Sequence, residues 1–192
     1  MDKDYKIAII GLGYVGLPLA IAFSEFYKVV GFDINKERIK GLNNNIDSNL
    51  DIDIQDTDNL NFTSIIDDVK DSQIYIVTVP TPVTKDNIPN LGLLKSATSI
   101  ISDYVSKGDI IIYESTVYPG VTEDVCVPII EEISGLIFNV DFFCAYSPER
   151  INPGDKKYSL RNIIKITSGS TAAIAEEVDQ LYRKIIIAGT YK

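Results

Sequence analysis

The chain has 192 residues, 45% of them hydrophobic, which suits one large α/β domain with an ordinary core. A formal charge of −9 excludes a sequence-independent grip on nucleic acid or on an anionic membrane surface. Histidine is absent, which removes Ser-His-Asp triads, histidine metal sites and the commonest general base.

The first residues, MDKDYK, are polar and do not read as a signal peptide. Ile7-Ala8-Ile9-Ile10 then has the length and β-branched content of a buried parallel strand. Gly11-Leu12-Gly13-Tyr14-Val15-Gly16 follows at once as a G-x-G-x-x-G turn. Leu17 to Phe26 is apolar and reads as a helix, with Pro18 near its start, where proline is tolerated. A second strand, Lys28 to Phe32, ends on Asp33. In this order each part has a use for a bound dinucleotide. Gly11 allows the turn, Gly13 lets a pyrophosphate approach the backbone, and Gly16 lets helix and strand pack closely. The helix start offers unpaired N–H groups to phosphate. Asp33, about 20 residues past the first glycine, can accept from a ribose diol.

Asn35 to Ile39 is a polar helix start, in which Arg38 is either a solvated charge or a guanidinium laid over an adenine ring. Asn43 to Asn45 and the acidic run Asp47 to Asp58 read as loop and exposed surface. Leu60 to Thr63 reads as a short edge strand, and Ser64 as the cap of a small helix through Val69, with Asp67 and Asp68 near its start. Gln73 to Val79 is another buried strand, ended by Pro80-Thr81-Pro82. Thr81 stands where a doubly wound sheet binds ligands, beyond a strand's carboxyl end, or it only shapes a turn.

Leu91 to Val105 fits an amphipathic helix closed by Gly108. Asp109 to Tyr113 is the next strand, with Glu114-Ser115-Thr116 at its carboxyl end. Pro119-Gly120 opens a helix to about Ile133, and Val140 to Ala145 is a further strand. Glu149, just beyond it, faces the same crevice as Thr81 and Thr116, or else it pairs with Arg150 or another surface charge. Asn162 to Ile166 reads as a strand, Thr171 to Lys184 as a helix and Ile185 to Ala188 as a last strand. Cys126 and Cys144 are too few for a disulfide framework or a zinc site and read as small hydrophobic residues. No metal is expected. No apolar run approaches the roughly 20 residues of a membrane span, and a cytoplasmic, reduced setting is the default. The alternation of strand and helix predicts a Rossmann-type, doubly wound α/β fold. Its sheet is mostly parallel, with right-handed crossovers and helices on both faces.

The segments GLGYVGLPLA (11–20), GFDIN (31–35), VPTP (79–82), YESTVYPG (113–120) and YSPERINPGD (146–155) together resemble the UDP-glucose/GDP-mannose dehydrogenase family. The likeness is greatest to bacterial UDP-N-acetylhexosamine 6-dehydrogenases of polysaccharide biosynthesis. Such enzymes oxidise the sugar C6 alcohol to a carboxylate with two NAD+. The resemblance implies that Gly11, Gly13, Tyr14, Val15 and Gly16 hold the pyrophosphate, with Asp33 on the adenosine ribose and Arg38 on the adenine side. It implies that Thr81 and Thr116 line the nicotinamide half, with Thr116 near the catalytic water, and that Glu149 assists thioester hydrolysis. Where the family usually has P-D-L, this chain has Pro89-Asn90-Leu91. The family's nucleophilic Cys lies in a glycine-rich motif further downstream, and its Lys and Asn lie on a long central helix. The resemblance therefore implies that residues 1–192 are the amino-terminal NAD-binding domain of a longer enzyme, inactive alone and homodimeric at full length. The implied partner is a UDP-sugar substrate. Two other readings share the glycine turn. A non-catalytic dinucleotide sensor has no need of Thr116 or Glu149, and a 2-hydroxy-acid or 6-phosphogluconate-type dehydrogenase has no use for YSPER or VPTP.

Overall fold

The computed structural model describes residues 4–47, 58–150 and 160–192. Most of the acidic run (48–57) and the end of the YSPERINPGD segment (151–155) lie outside the described residues. Strands β1 (Lys6–Ile10), β2 (Lys28–Phe32), β3 (Leu60–Thr63), β4 (Ile74–Val77), β5 (Ile110–Tyr113) and β6 (Phe143–Tyr146) form one sheet in the order β3-β2-β1-β4-β5-β6. All of its pairings are parallel. The order reverses between β1 and β4, so the connections leave those two strands in opposite directions and a crevice opens beyond their carboxyl ends.

The isoleucine-rich strands alternate between two cores, as period-2 side chains must. Ile7, Ile9, Ile74, Ile76, Ile110 and Ile112 face helices α1 (Gly16–Ser24) and α5 (Ala172–Arg183), where Phe23 and Tyr182 meet edge to face at 5.5 Å. Ala8, Ile10, Tyr75, Val77, Ile111 and Tyr113 face α3 (Gly92–Ser102) and α4 (Val127–Ser134). Cys126 and Cys144 belong to this second core, and burial pushes both thiols up. They pack as the small hydrophobic residues the sequence suggests. No helix among the described residues is long and apolar enough to cross a membrane.

Several expectations are corrected. The predicted cap at Ser64 is not made: Thr63 Oγ1 accepts from the Ile65 N–H at 2.9 Å and starts a 3-10 turn over Ile66–Val69. The hydroxyl at the strand end turns the chain one residue early. The helix expected from Leu91 ends at Ser102, well before the positive-φ Gly108. The helix after Gly120 begins as a π turn, Thr122–Cys126, before α4. The strand expected from Val140 starts at Phe143. Ile185 to Ala188 is not a strand at all. Ile185 and Ile186 are buried in the first core directly below α5, and the chain turns at Gly189 (φ +88°). Only then does β8 (Thr190–Tyr191) pair with β7 (Lys165–Ile166), in a separate two-stranded parallel sheet. The first two residues of the apolar run are core packing and the last two are exposed, and apolarity alone does not tell such a segment from a strand.

Asp109 gives a first test of this packing. It is 4% exposed and accepts from the Ser106 N–H at 2.7 Å, and burial pushes its carboxyl up to about 6. The folded chain thus holds this proton more tightly than the unfolded chain. Its contribution to stability is full below about pH 4 and is lost as the pH rises through about 6. Asp109→Asn is expected to stabilise the protein by ~1–2 kcal/mol at pH 8 and to change little near pH 4. Thermal melts at the two pH values check this, and a lower Tm at pH 8 would contradict it.

Candidate dinucleotide-binding site

The glycine turn is fixed from three sides before any ligand is considered. Gly11 adopts φ +95°, which only glycine adopts readily, and its N–H donates to Phe32 O at 2.8 Å. Thr78 Oγ1 donates to Gly11 O at 2.6 Å, so the end of β4 holds the start of the turn. Leu12 is held at both of its peptide groups. Asp33 Oδ2 accepts from its N–H at 2.8 Å, and Arg38 Nε donates to its C=O at 3.0 Å. Arg38 itself is buried on α2 (Lys36–Leu42), and its Nη1 donates to Asp47 at 2.6 Å. It is therefore not a solvated helix charge. Its guanidinium lines a cavity of ≈360 Å³ shared with Asp33, Asn35 and Ile46.

The motif's other two glycines differ in what surrounds them. A Cβ on Gly16 would lie 1.9 Å from Gly11 O and 2.5 Å from Thr78 Oγ1, so Gly16 is required for packing. A Cβ on Gly13 would meet nothing within 4 Å. Gly13 opens instead onto a larger cavity of ≈590 Å³, lined also by Tyr14, Val15, Asp33, Thr81, Thr116 and Glu149. Helices α2 and α5 are capped by the side chains of Asn35 and Thr171, but Val15 supplies no side-chain cap to α1. The Leu17 N–H turns back to Gly13 O at 3.1 Å, and α1 begins directly after the cavity-lining Tyr14 and Val15, so the helix's positive end stands beside the cavity, where an anion is favoured. An open glycine, an uncapped helix start and an acid at the end of β2 fit a dinucleotide laid across the crevice. The one pyrophosphate-turn residue that does not line the larger cavity is Gly16, whose role is structural.

At the other side of the cavity, β4 and β5 are stitched together by two short bonds. Ser115 Oγ donates to Val79 O, and Thr81 Oγ1 to Thr116 O, each at 2.6 Å. Thr81 therefore both shapes its turn and lines the cavity. Asn90, at the family's acid position, accepts from the Gly92 N–H at 2.9 Å through Oδ1 and so starts α3. Asp and Asn do this equally well.

Glu149 does line the crevice, and its ion pair is neither of the expected kind. Its carboxylate takes the Arg150 backbone N–H at 2.6 Å, while the Arg150 guanidinium turns to Ile164 O. Its charge partner among the described residues is Lys165, 3.2 Å away. Lys165 also pairs with Glu114, and Glu114 accepts from the Tyr182 hydroxyl as well. Burial pushes the Glu114 carboxyl up, and the Lys165 ammonium opposes that. Sequence reasoning singled out neither Lys165 nor Tyr182. A lysine set between Ile163-Ile164 and Ile166 is a faint signal for one of them.

Comparison with known proteins agrees with the geometry. The family model described as UDP-glucose/GDP-mannose dehydrogenase family, NAD binding domain, matches residues 5–186. The chain is 55% identical over 192 residues to a UDP-N-acetyl-D-glucosamine 6-dehydrogenase of Salmonella typhi, covering 98% of this chain and 45% of that protein. It is 54% identical over 193 residues to one of Pseudomonas aeruginosa, covering 99% and 46%. The solved structure of a UDP-D-ManNAc dehydrogenase from Pyrococcus horikoshii superposes with a TM-score of 0.84 at 33% identity, covering 97% of this chain and 46% of that one. The chain thus spans about half the length of the curated relatives it matches.

Proposed function

This chain belongs to the UDP-glucose/GDP-mannose dehydrogenase family and is an NAD-binding domain, and we propose that it forms the cofactor half of a UDP-N-acetylhexosamine 6-dehydrogenase. In this reading residues 1–192 are the amino-terminal domain of a longer, homodimeric, cytoplasmic enzyme of polysaccharide biosynthesis. The enzyme oxidises the C6 alcohol of a UDP-N-acetylhexosamine, or of UDP-glucose, to a carboxylate. The names of the close relatives support the substrate class.

One observation carries the proposal: the cavity that opens at Gly13 runs without a break to Thr81, Thr116 and Glu149. NAD, when bound, supplies the hydride acceptor. The chain's own residues do the rest of the cofactor half. Gly11, Gly13, Tyr14, Val15 and Gly16 form the pyrophosphate turn, and Asp33 receives the adenosine ribose. Arg38 braces the adenine side. Thr81 and Thr116 border the nicotinamide half, where Thr116 also holds a water. Glu149 takes that water's proton when the acyl product is released. The nucleophile and the sugar pocket belong to the rest of the enzyme, because Cys126 and Cys144 are buried and their thiols are pushed up.

The isolated chain is therefore expected to bind NAD and to turn over no nucleotide sugar. Titration calorimetry with NAD, beside an NADH-absorbance assay with UDP-N-acetylglucosamine and UDP-N-acetylgalactosamine, tests both halves. NADH formed by this chain alone would relocate the catalytic centre. A full-length protein that binds NAD yet oxidises none of these sugars would favour a sensing module.

NAD is expected to be preferred over NADP by ~1–3 kcal/mol, because Asp33 accepts from a 2′ hydroxyl and repels a 2′ phosphate. The oxygens of Asp33 already hold the Leu12 and Asn35 N–H groups, and each keeps a second lone pair for the ribose. Asp33→Asn retains an acceptor and loses the charge, so it should flatten the preference. Equal dissociation constants for the two cofactors in the unaltered protein would remove Asp33 from this role.

A further inference from the structure

Behind the carboxylate of Glu149 lies a charge cluster that nothing in the glycine turn requires. The ammonium of Lys165 stands between two acids, Glu114 and Glu149, and 5.5 Å from the centre of the Tyr182 ring. Side-chain exposure is 4% for Lys165, 0% for Glu114 and 9% for Glu149. Burying charge is costly unless each group is paired, and among the described residues Lys165 is shared by the two carboxylates. They are not equivalent. Glu114, at the end of β5, is held at one oxygen by Lys165 and at the other by the Tyr182 hydroxyl, so it is anchored from β7 and from α5. Glu149 reaches the same ammonium from the cavity side. The small β7/β8 sheet sits outside the main one and is what carries Lys165 to this point.

We propose that Lys165 is a positioning residue for Glu149: its ammonium, anchored from behind by Glu114 and Tyr182, pins the Glu149 carboxylate at the β6 side of the crevice. Glu114 is the counterweight, because it takes a share of the ammonium and so limits how strongly Glu149 is held. The inference rests on the reading of Glu149 as the base of the dehydrogenase. Among the described residues, the charged and titratable groups facing Glu149 include Lys165, Glu114 and the Tyr182 hydroxyl. The neighbouring Arg150 turns its guanidinium away to Ile164 O.

Two variants of the full-length enzyme separate positioning from mere stability, because they move the rate in opposite directions along the pH axis. Glu114→Gln keeps one acceptor oxygen, for Lys165, turns its amide N–H groups to the Tyr182 hydroxyl, which can accept, and leaves the ammonium's charge to Glu149 alone. The acid limb of the kcat profile should then move to lower pH. Lys165→Met combined with Glu114→Gln removes the cation without stranding the buried acid. Its acid limb should move to higher pH by about one unit or more, the usual effect of losing an opposite charge at this distance. At neutral pH the double variant should lose about 10²-fold in kcat, the scale of a misplaced catalytic group, while the KM for NAD stays within about two-fold. Restoring the charge with Lys165→Arg in place of Met should bring the limb part of the way back. A crystal structure of the double variant provides a readout independent of turnover, in which Glu149 should have left its place at the β6 side. Glu149 unmoved in that structure, or acid limbs that shift the same way in both variants, overturns the proposal. If the unaltered enzyme makes no NADH from any UDP-N-acetylhexosamine, the dehydrogenase reading fails instead, and the crystal structure still decides the positioning.

Discussion

Gly13→Val is expected to weaken NAD binding by at least about 100-fold, roughly 3 kcal/mol, while the protein stays folded. The two halves of that expectation come from one measurement of space. A Cβ on Gly13 meets nothing within 4 Å, and the residue is not among those with positive φ, so the folded chain accepts a side chain there. The vacant volume belongs to the cavity in which Gly13 faces Tyr14, Val15 and Thr81, where a pyrophosphate needs to touch the backbone. A branched side chain would hold the phosphates away from the backbone of the turn and from the positive end of α1. Calorimetry with NAD gives the affinity, and circular dichroism with a thermal melt reports the fold. Gly16 supplies the contrast. There even Ala brings a Cβ to 1.9 Å from Gly11 O, so Gly16→Ala should lose the melt along with the affinity. Unchanged NAD affinity in Gly13→Val would show that the glycine turn does not cradle the cofactor.

That contrast also shows how much the sequence could reveal. The strand, glycine turn, helix, strand and Asp33 are a local pattern within Lys6–Asp33, and the structure follows it closely because each part is decided by its neighbours in sequence. The two-core sheet was legible for the same reason, since short β-branched runs between helices leave few other topologies. Asp33 was read as a ribose acceptor, and it also braces Leu12, a contact between two elements that no local rule supplies. For Arg38 the sequence offers a solvated charge or a guanidinium over an adenine ring, and the first is excluded because α2 folds back so that Arg38 reaches Leu12 and Asp47. The weakest reading was at the chain's end. Ile185 to Ala188 has the composition of a strand, but only Ile185 and Ile186 are buried, packed in the first core just after α5, while Ile187 and Ala188 are exposed.

The cluster behind Glu149 was the least legible part of the site. Glu114 meets Lys165 across 51 residues and Tyr182 across 68. Each of the three belongs to a different element, and each is unremarkable in its own segment. Only the turn after α5 and the short β7/β8 pairing bring them together. A buried ion pair of this kind is weak evidence for stability, since an apolar replacement of both partners is often as good. Its place beside a cavity-lining acid fits the positioning of Glu149 proposed above.

Removing one partner alone is a different matter. Lys165→Met is expected to destabilise the protein by ~3–5 kcal/mol at neutral pH, because Glu114 is then buried without its cation. The Tyr182 hydroxyl still donates to Glu114, but one neutral donor does not replace an ammonium. The loss should depend on pH with a definite sign. Burial already pushes the Glu114 carboxyl above its ordinary value, and without Lys165, which opposes that shift, it goes further. A carboxyl raised on folding contributes stability that is complete below its unfolded value and is lost as the pH rises through its folded value. The variant should therefore approach the unaltered protein in acid and fall furthest behind it above neutrality. Adding Glu114→Gln to Lys165→Met should recover most of the loss at pH 8 and little of it in acid, because the amide carries no charge to desolvate. Urea unfolding of the three proteins at several pH values measures both effects. If Lys165→Met loses the same stability at every pH, the cost does not come from a stranded carboxylate, and the Glu114–Lys165 pair is packing rather than charge.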